Sequence, residues 1–418
     1  MNASTAKPLL VVGAGIAGVT AALEAAEAGN EVILVEREPT VGGRVLRSHQ
    51  YFPKLCPPSC GMEINIRRLE RNPRVRVMTS TRVTRSERKG DGYQVTLTQK
   101  PMTVNERCTA CGECSKVCTA KVKDPFNLGM TEVPAIRLPH PDAWPNRFIL
   151  DKDACSSGDL KAIVEACQYD AIDLEATERE QVVEVGAVVL ATGWRPYPIE
   201  NLPELGGGKL PDVIANVKME RLAAPAGPTG GKILRPSDGT PPKKVAFVQC
   251  AGSRDVNHLP YCSGICCLAS LKQATYLKEQ IPDCEVTMYY IDRRTPGRNE
   301  DVLVKVAAME GVHLVKGKVG KIDQGTEGNL VLKVENVEAT KLEEVTADLV
   351  VLATGMVSNL TDGELPVDFK KDDDGFGIED PEAKVFFAGV ARRPEDVASS
   401  VRDATGAAAK ALVAGRSS

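Results

Sequence analysis

Residues 9–36 read LLVVGAGIAGVTAALEAAEAGNEVILVE, and the fold is decided here. Leu9 to Val12 is a short unbroken apolar run, the mark of a buried strand. Gly13-Ala14-Gly15-Ile16-Ala17-Gly18 follows as a glycine turn. A helix is then expected from about Ile16 to Ala28, ended by Gly29, and a second strand from Glu31 to Glu36. Strand, helix and strand in this order make a βαβ unit with a right-handed crossover. Gly13 permits the tight turn, Gly15 lets backbone approach a pyrophosphate, and Gly18 lets helix and strand pack closely. The helix start, with the backbone of Ala14, Ile16 and Ala17, offers N–H groups and a partial positive charge to phosphates. Glu36, 21 residues after Gly15, is placed to accept hydrogen bonds from a ribose, with Arg37 beside it. The stretch predicts dinucleotide binding.

Working outward, residues 74–100 alternate apolar and polar residues around a GDG turn and read as strands and a hairpin. The cysteine-bearing segment from about 101 to 180 interrupts this pattern. Residues 201–242 are rich in glycine and proline and predict a loop or domain boundary. A second βαβ pattern follows: KKVAFVQC as strand, ICCLASLKQATYLKEQ as helix, EVTMYYID as strand. The motif VLATG occurs at 189–193 and again at 351–355, which implies two dinucleotide-type halves, the first split in sequence. A last helix is expected over Ser399–Leu412. The predicted class is α/β, with two Rossmann-like domains of glutathione-reductase-like FAD fold and an inserted ferredoxin-like segment. The expected boundaries are 1–100 for the first part of the FAD domain and 101–180 for the insert. Residues 181–240 continue the FAD domain into the connection, 241–350 form the second Rossmann-like domain, and 351–418 complete the FAD domain.

Gly42-Gly43-Arg44, just past Glu36, resembles the extended signature of the glutathione-reductase-like superfamily, and the resemblance implies FAD rather than NAD. It also implies contacts to FAD from Ala191, Thr192 and Gly193, and from Gly389 and Val390 in the late FFAGV stretch; Gly355, at the repeated ATG, is a further candidate. In the second half the place of another GxGxxG is taken by FVQCAGSRD. Direct reduction by bound NAD(P)H is therefore not expected, and an NAD(P)H-dependent flavin oxidoreductase stands as an alternative reading.

At 418 residues the chain suits two or three domains. Its 43% hydrophobic and 26% charged content are those of a soluble globular protein. A net charge of −4 without a sustained basic run gives no sign of a nucleic-acid partner. No apolar run approaches the roughly 20 residues of a membrane span, and no signal-peptide pattern precedes Leu9. A cytoplasmic location is expected, with membrane contact only through partners.

The thirteen cysteines are grouped, and clustered cysteines without an export signal read as metal ligands before disulfides. Cys108-x2-Cys111-x2-Cys114-x3-Cys118 is the bacterial ferredoxin run, with Thr119 in place of the usual proline. In two-cluster ferredoxins the fourth cysteine of each run serves the other cluster. The second run, from Cys155 to Cys167, lacks its two middle cysteines. One [4Fe–4S] cluster is expected here, on Cys108, Cys111, Cys114 and Cys167, with Cys118 as substitute fourth ligand. Cys250, Cys262, Cys266 and Cys267 form a second group at the start of a helix, whose positive end favours thiolates. Adjacent Cys266 and Cys267 are awkward on one cluster, so Cys56 or Cys60 could stand in. A second cluster is expected at this group. Cys284 reads as core.

Taken together, GAGIAG…GGR, CTACGECSKVC, CAGSRD…YCSGICC and PAGPTGGKILRPSDG resemble the A-type heterodisulfide reductase family along nearly the whole chain. With YFPKLCPPSCGMEIN and the short length, the resemblance is to its branch in the quinone-interacting membrane-bound oxidoreductase (Qmo) complex of sulfate reducers. It implies an FAD- and iron–sulfur-containing electron-transfer subunit without a catalytic acid, base or nucleophile. Its implied partners are a second flavin/iron–sulfur subunit, a membrane quinone-interacting subunit, and adenylylsulfate reductase as redox partner. Flavin-based electron bifurcation, as in the methanogenic relatives, is the alternative.

Overall fold

In the computed structural model, which describes residues 7–416 apart from 53 and 364, the strand Leu9–Val12 lies at the centre of a five-stranded parallel sheet. The strand order is Val385–Phe387, Ala187–Leu190, Leu9–Val12, Val32–Val35, Val75–Met78. Leu9–Val12 is buried throughout because it is covered on both faces, which removes any need for alternation. Leu9 and Val11 pack under the helices Ile16–Glu27 and Val397–Arg416. Leu10 and Val12 face the antiparallel sheet of Thr81–Lys89, Gly92–Gln99 and Arg179–Val185.

The second sheet has seven strands, ordered Val213–Ala215, Leu349–Thr354, Lys244–Ala251, Glu285–Tyr290, Val312–Gln324, Leu330–Asn336, Lys341–Ala347. The first five run parallel and the last two add an antiparallel meander. The helix Cys266–Gln280 packs Leu271, Ala274 and Leu277 onto it. Two Rossmann-type sheets are thus present, and the antiparallel segments lie where alternation placed them.

Residues 101–178 leave and rejoin the chain between two strands that pair with each other, Gly92–Gln99 and Arg179–Val185. They gather a small core of their own from Val104, Ile136, Phe148, Ile163 and Ile172. Its ends are tied by an antiparallel bridge between Val104 and Ile172.

The structure differs from expectation in three places. The stretch 201–242 is not only loop: it contributes the strand Val213–Ala215 and the helix Asn216–Ala223, whose Met219 and Leu222 sit in the second core. Scattered glycines and prolines hid an element only three residues long. The helix Pro58–Arg71 was not anticipated, because its first turn reads PSCG. The final helix runs over Val397–Arg416, longer at both ends than expected. Among the described residues no helix is long and apolar enough to cross a membrane.

Candidate functional site

A cavity of about 1020 Å³ opens between the two sheets and the segment 125–151. The glycine turn forms one wall through Gly13, Gly15, Ile16 and Ala17. Gly13 has φ +101°, and a Cβ there would lie 2.4 Å from the Ala191 carbonyl oxygen. Gly43, at φ +62°, approaches so closely that its Cβ would lie 2.8 Å from the Gly15 Cα. Only glycine fits both positions.

Glu36 sits at the end of its strand, buried, and accepts from the backbone N–H of Ala14 at 2.7 Å and of Glu38 at 3.0 Å. Burial pushes its carboxyl above the ordinary value, against the pull of those two bonds. Arg37 also lines the cavity. Arg44 does too; its Nε donates to the Trp194 carbonyl at 2.9 Å and its guanidinium lies 5.0 Å from the Trp194 ring centroid. Burial lowers the Arg44 pKa to about 10, which leaves it charged at neutral pH.

Ala191, Thr192, Gly193 and Val390 complete the expected contacts at the cavity wall. Ala14, Gly18, Gly42, Gly355 and Gly389 stand behind it or away from it. A Cβ on Gly18 would overlap the Gly13 carbonyl, and the Gly42 N–H donates to the Ala14 carbonyl at 2.8 Å. Gly389, at φ +63°, donates its N–H to Asp403 at 2.8 Å. Gly355 is pressed against the hydroxyls of Ser253 and Ser263.

Orphaned polar atoms mark the cavity as built for a polar ligand. Thr192 Oγ1 and Asn359 Oδ1 are buried with no hydrogen-bond partner, although the Asn359 amide donates to the Thr192 carbonyl at 2.8 Å. Such groups cost stability unless something satisfies them. Open glycine backbone, an acidic strand end, a cavity of this volume and these orphans fit FAD.

Sequence reasoning missed a polar cluster on the opposite wall. Asn216, Glu220, Lys272 and Gln273 line the cavity. Lys272 Nζ lies 3.0 Å from Glu220 Oε1, both side chains buried, and Glu220 also accepts from Gln273 Nε2 at 2.7 Å and the His49 N–H at 3.0 Å. One signal was available: Leu268, Lys272 and Tyr276 share a helix stripe at i, i+4 spacing, so the lysine interrupts an apolar face. The third wall is the insert. Phe126 stacks on His140 at 4.7 Å between centroids, His140 Nε2 lies 3.1 Å from Thr40 Oγ1, and the Arg221 guanidinium lies 4.6 Å over the Phe126 ring.

The structure leaves all thirteen cysteines free. It groups Cys114 with Cys108, Cys167 and Cys111, the thiols that act on its charge, and sets Cys118 against Cys155 instead. The Ala171 N–H donates to Cys167 Sγ at 3.4 Å. Cys266 is grouped with Cys250, Cys267 and Cys262. Cys56 and Cys60 lie beside Tyr51. Burial pushes Cys114 and Cys155 up to about 11 and raises Cys250, Cys266 and Cys267, with neighbouring thiols adding to each shift. Desolvation therefore outweighs the helix end expected to favour thiolates at Cys266 and Cys267. Among the described residues no three His, Cys, Asp or Glu side chains converge on the position of a single metal ion.

Residues next to the second group reach the cavity. Ile265 and Leu268, which bracket Cys266 and Cys267, both line it. On the insert side Pro139 and Ile149 line it, while their neighbours Leu138 and Leu150 pack on the same small core as the insert cysteines.

Fold and cavity define a protein of thioredoxin-reductase-like architecture whose central cavity fits FAD. The FAD dependent oxidoreductase family matches residues 8–58. The structure is similar to thioredoxin reductase from T. acidophilum (TM-score 0.53, 13% identity, 98% of this chain and 99% of that one). It is also similar to a bacillithiol disulfide reductase from Bacillus cereus (TM-score 0.53, 14% identity, 98% and 99%). In sequence the chain is 34% identical, over 98% of its length, to the A-type component of the ferredoxin/F(420)H(2)-dependent CoB-CoM heterodisulfide reductase of Methanosarcina acetivorans. It is 33% identical, over 97%, to the A-type component of the H(2):CoB-CoM heterodisulfide,ferredoxin reductase of Methanothermobacter marburgensis. The chain belongs to this A-type heterodisulfide reductase family. It spans 53% and 63% of the length of these two relatives.

Proposed function

We propose that the chain is an electron-transfer subunit in which one FAD lies between two [4Fe–4S] clusters. One cluster is held by Cys108, Cys111, Cys114 and Cys167 in a ferredoxin-like insert. The other is held by Cys250, Cys262, Cys266 and Cys267. The observation that carries the reading is the position of the cavity, whose lining includes Ile265 and Leu268, neighbours in sequence of Cys266 and Cys267. It also includes Pro139 and Ile149, neighbours of Leu138 and Leu150 on the insert core that also carries Cys108, Cys114 and Cys167. In a four-iron cluster each thiolate binds a different iron, so its ligands surround a volume rather than converge on one ion. An isoalloxazine ring supplies two-electron acceptance with single-electron release, which matches one-electron clusters to pair chemistry.

The chain's own residues bind, orient and exclude water. The backbone of Gly13, Gly15 and the helix start would receive the pyrophosphate, and Glu36 the ribose hydroxyls. Thr192 Oγ1 and Asn359 Oδ1 would give up their orphan state to the bound molecule. Ile265 and Leu268 form an apolar partition between the cavity and the second cysteine group. Glu220 holds the Lys272 ammonium at the opposite wall, fixing a positive charge there.

Within the family we assign the chain to the Qmo branch, on YFPKLCPPSCGMEIN and the incomplete second cysteine run. Its partners are then a membrane subunit that meets quinone, together with a second flavin/iron–sulfur subunit; adenylylsulfate reductase stands at the other end. This makes it cytoplasmic and membrane-associated through those partners. Anaerobic purification with associated subunits, followed by FAD, iron and sulfide analysis, tests both levels. FAD with iron and acid-labile sulfide, and quinol-dependent reduction of the clusters in the complex, is the expected result. An iron-free folded chain overturns the electron-transfer reading. Bleaching of the flavin in the isolated chain by NADH would replace it with a nicotinamide-dependent oxidoreductase.

A further inference from the structure

Cys118 and Cys155 are the two cysteines of the insert that the ligand set proposed above, on which this inference rests, leaves unused. The structure does not scatter them. Their side chains lie against each other, both half-buried at the edge of the insert core. A single carboxylate fixes the backbone on both sides of the pair. Asp159 Oδ1 accepts from the backbone N–H and the hydroxyl of Thr119, the residue after Cys118, each at 2.8 Å. Asp159 Oδ2 accepts from the N–H of Ser156, the residue after Cys155, at 3.3 Å and from its hydroxyl at 2.7 Å. The Asp159 N–H in turn donates to Ser156 Oγ at 3.1 Å, closing a capping box at the start of the helix Ser157–Glu165. Cys118 closes the short helix Glu113–Val117, and these two helices pack together. Two thiols are thus presented side by side on pinned backbone.

We propose that Cys118 and Cys155 form a redox-active dithiol that closes to an intramolecular disulfide by exchange with a small-molecule disulfide. One thiolate attacks a sulfur of the external disulfide, forming a mixed disulfide and releasing one thiolate of the reagent. The second cysteine thiolate attacks the protein-side sulfur, closing the Cys118–Cys155 bond and releasing the other. Two electrons pass from the pair to the reagent, and the two cysteine protons end on the two small thiols. The product staples together the two helical segments that carry Cys114 and lead into Cys167.

The test uses the full chain, purified anaerobically and incubated with glutathione disulfide, then alkylated and digested with trypsin. Cleavage after Lys116, Lys121, Lys152 and Lys161 leaves each cysteine alone in its peptide, 117–121 and 153–161. The expected result is a linked pair of these peptides, lighter by two hydrogen atoms, that dominates after oxidation and disappears after dithiothreitol. Cys118→Ser and Cys155→Ser should each abolish it while retaining the wild-type iron content. Both cysteines alkylated singly, or each carrying its own glutathione, overturns the proposal. So does loss of iron from either variant, which would make the pair cluster ligands. The wild-type digest decides the matter even if a variant fails to fold.

Discussion

A Cβ at Gly18 would lie 1.7 Å from the Gly13 carbonyl oxygen, whereas one at Gly15 would meet nothing nearer than the Gly43 Cα at 3.9 Å. Gly15 also has φ −73°, which alanine adopts freely. The two glycines of one fingerprint therefore serve different ends, helix packing at Gly18 and ligand approach at Gly15. Gly18→Ala is expected to destabilise the chain by about 3 kcal/mol or more, since helix and strand must separate to admit the methyl group. Gly15→Ala should fold with stability within about 1 kcal/mol of the parent, yet bind FAD at least about tenfold more weakly, about 1.4 kcal/mol. Denaturant unfolding of the FAD-free protein and flavin titration separate the two. A Gly15→Ala protein that retains full FAD affinity would remove the phosphate role assigned to this turn.

Elements, more than single residues, shape the wall facing the glycine turn. The helix Cys266–Gln280 brings Lys272 to Glu220 on the helix Asn216–Ala223, and both charges are buried. Removing one partner leaves the other charged and dry, so Lys272→Met should cost about 3 to 5 kcal/mol, and Lys272→Met with Glu220→Leu considerably less. Equal losses in the single and double variants, measured by urea unfolding, would mean the pair is not coupled. The insert meets the body through His140, held between Phe126, Thr40 and the Arg47 and Arg221 charges. Burial first, then those two arginines, lower the His140 pKa to about 4. An unfolded histidine takes up a proton as pH falls through about 6.5, while the folded one stays neutral. The contribution of His140 is thus complete above that pH and is lost toward pH 4. Between pH 6.5 and 5 the loss should be about 2 kcal/mol, absent in His140→Gln. A parallel pH dependence in the two proteins would contradict this placement.

At the scale of the whole molecule, the parts legible in the sequence were those fixed by local backbone or by spacing. Gly13 and Gly43 show their positions because no other residue tolerates their geometry, and the cysteine runs show theirs through short, regular intervals. Lys272 and Glu220 were not legible: they lie far apart in sequence, and Glu220 falls in a stretch whose glycines and prolines read as loop. The strand Val213–Ala215 was hidden for the same reason, since three residues carry no periodicity and only pairing with Leu349–Thr354 makes them a strand. The two cysteine groups lie on separate parts of the fold, one on the insert core and one at the strand–helix junction of the second sheet. They should therefore load iron independently. Cys114→Ala and Cys262→Ala are each expected to lose about half the iron and sulfide of the parent. Each should keep its FAD, because neither cysteine lines the cavity. Cys167→Ala should match Cys114→Ala, since its thiol lies in the same group. Loss of all iron in any one of them, or full iron in Cys167→Ala, would refute two independent centres with these ligands.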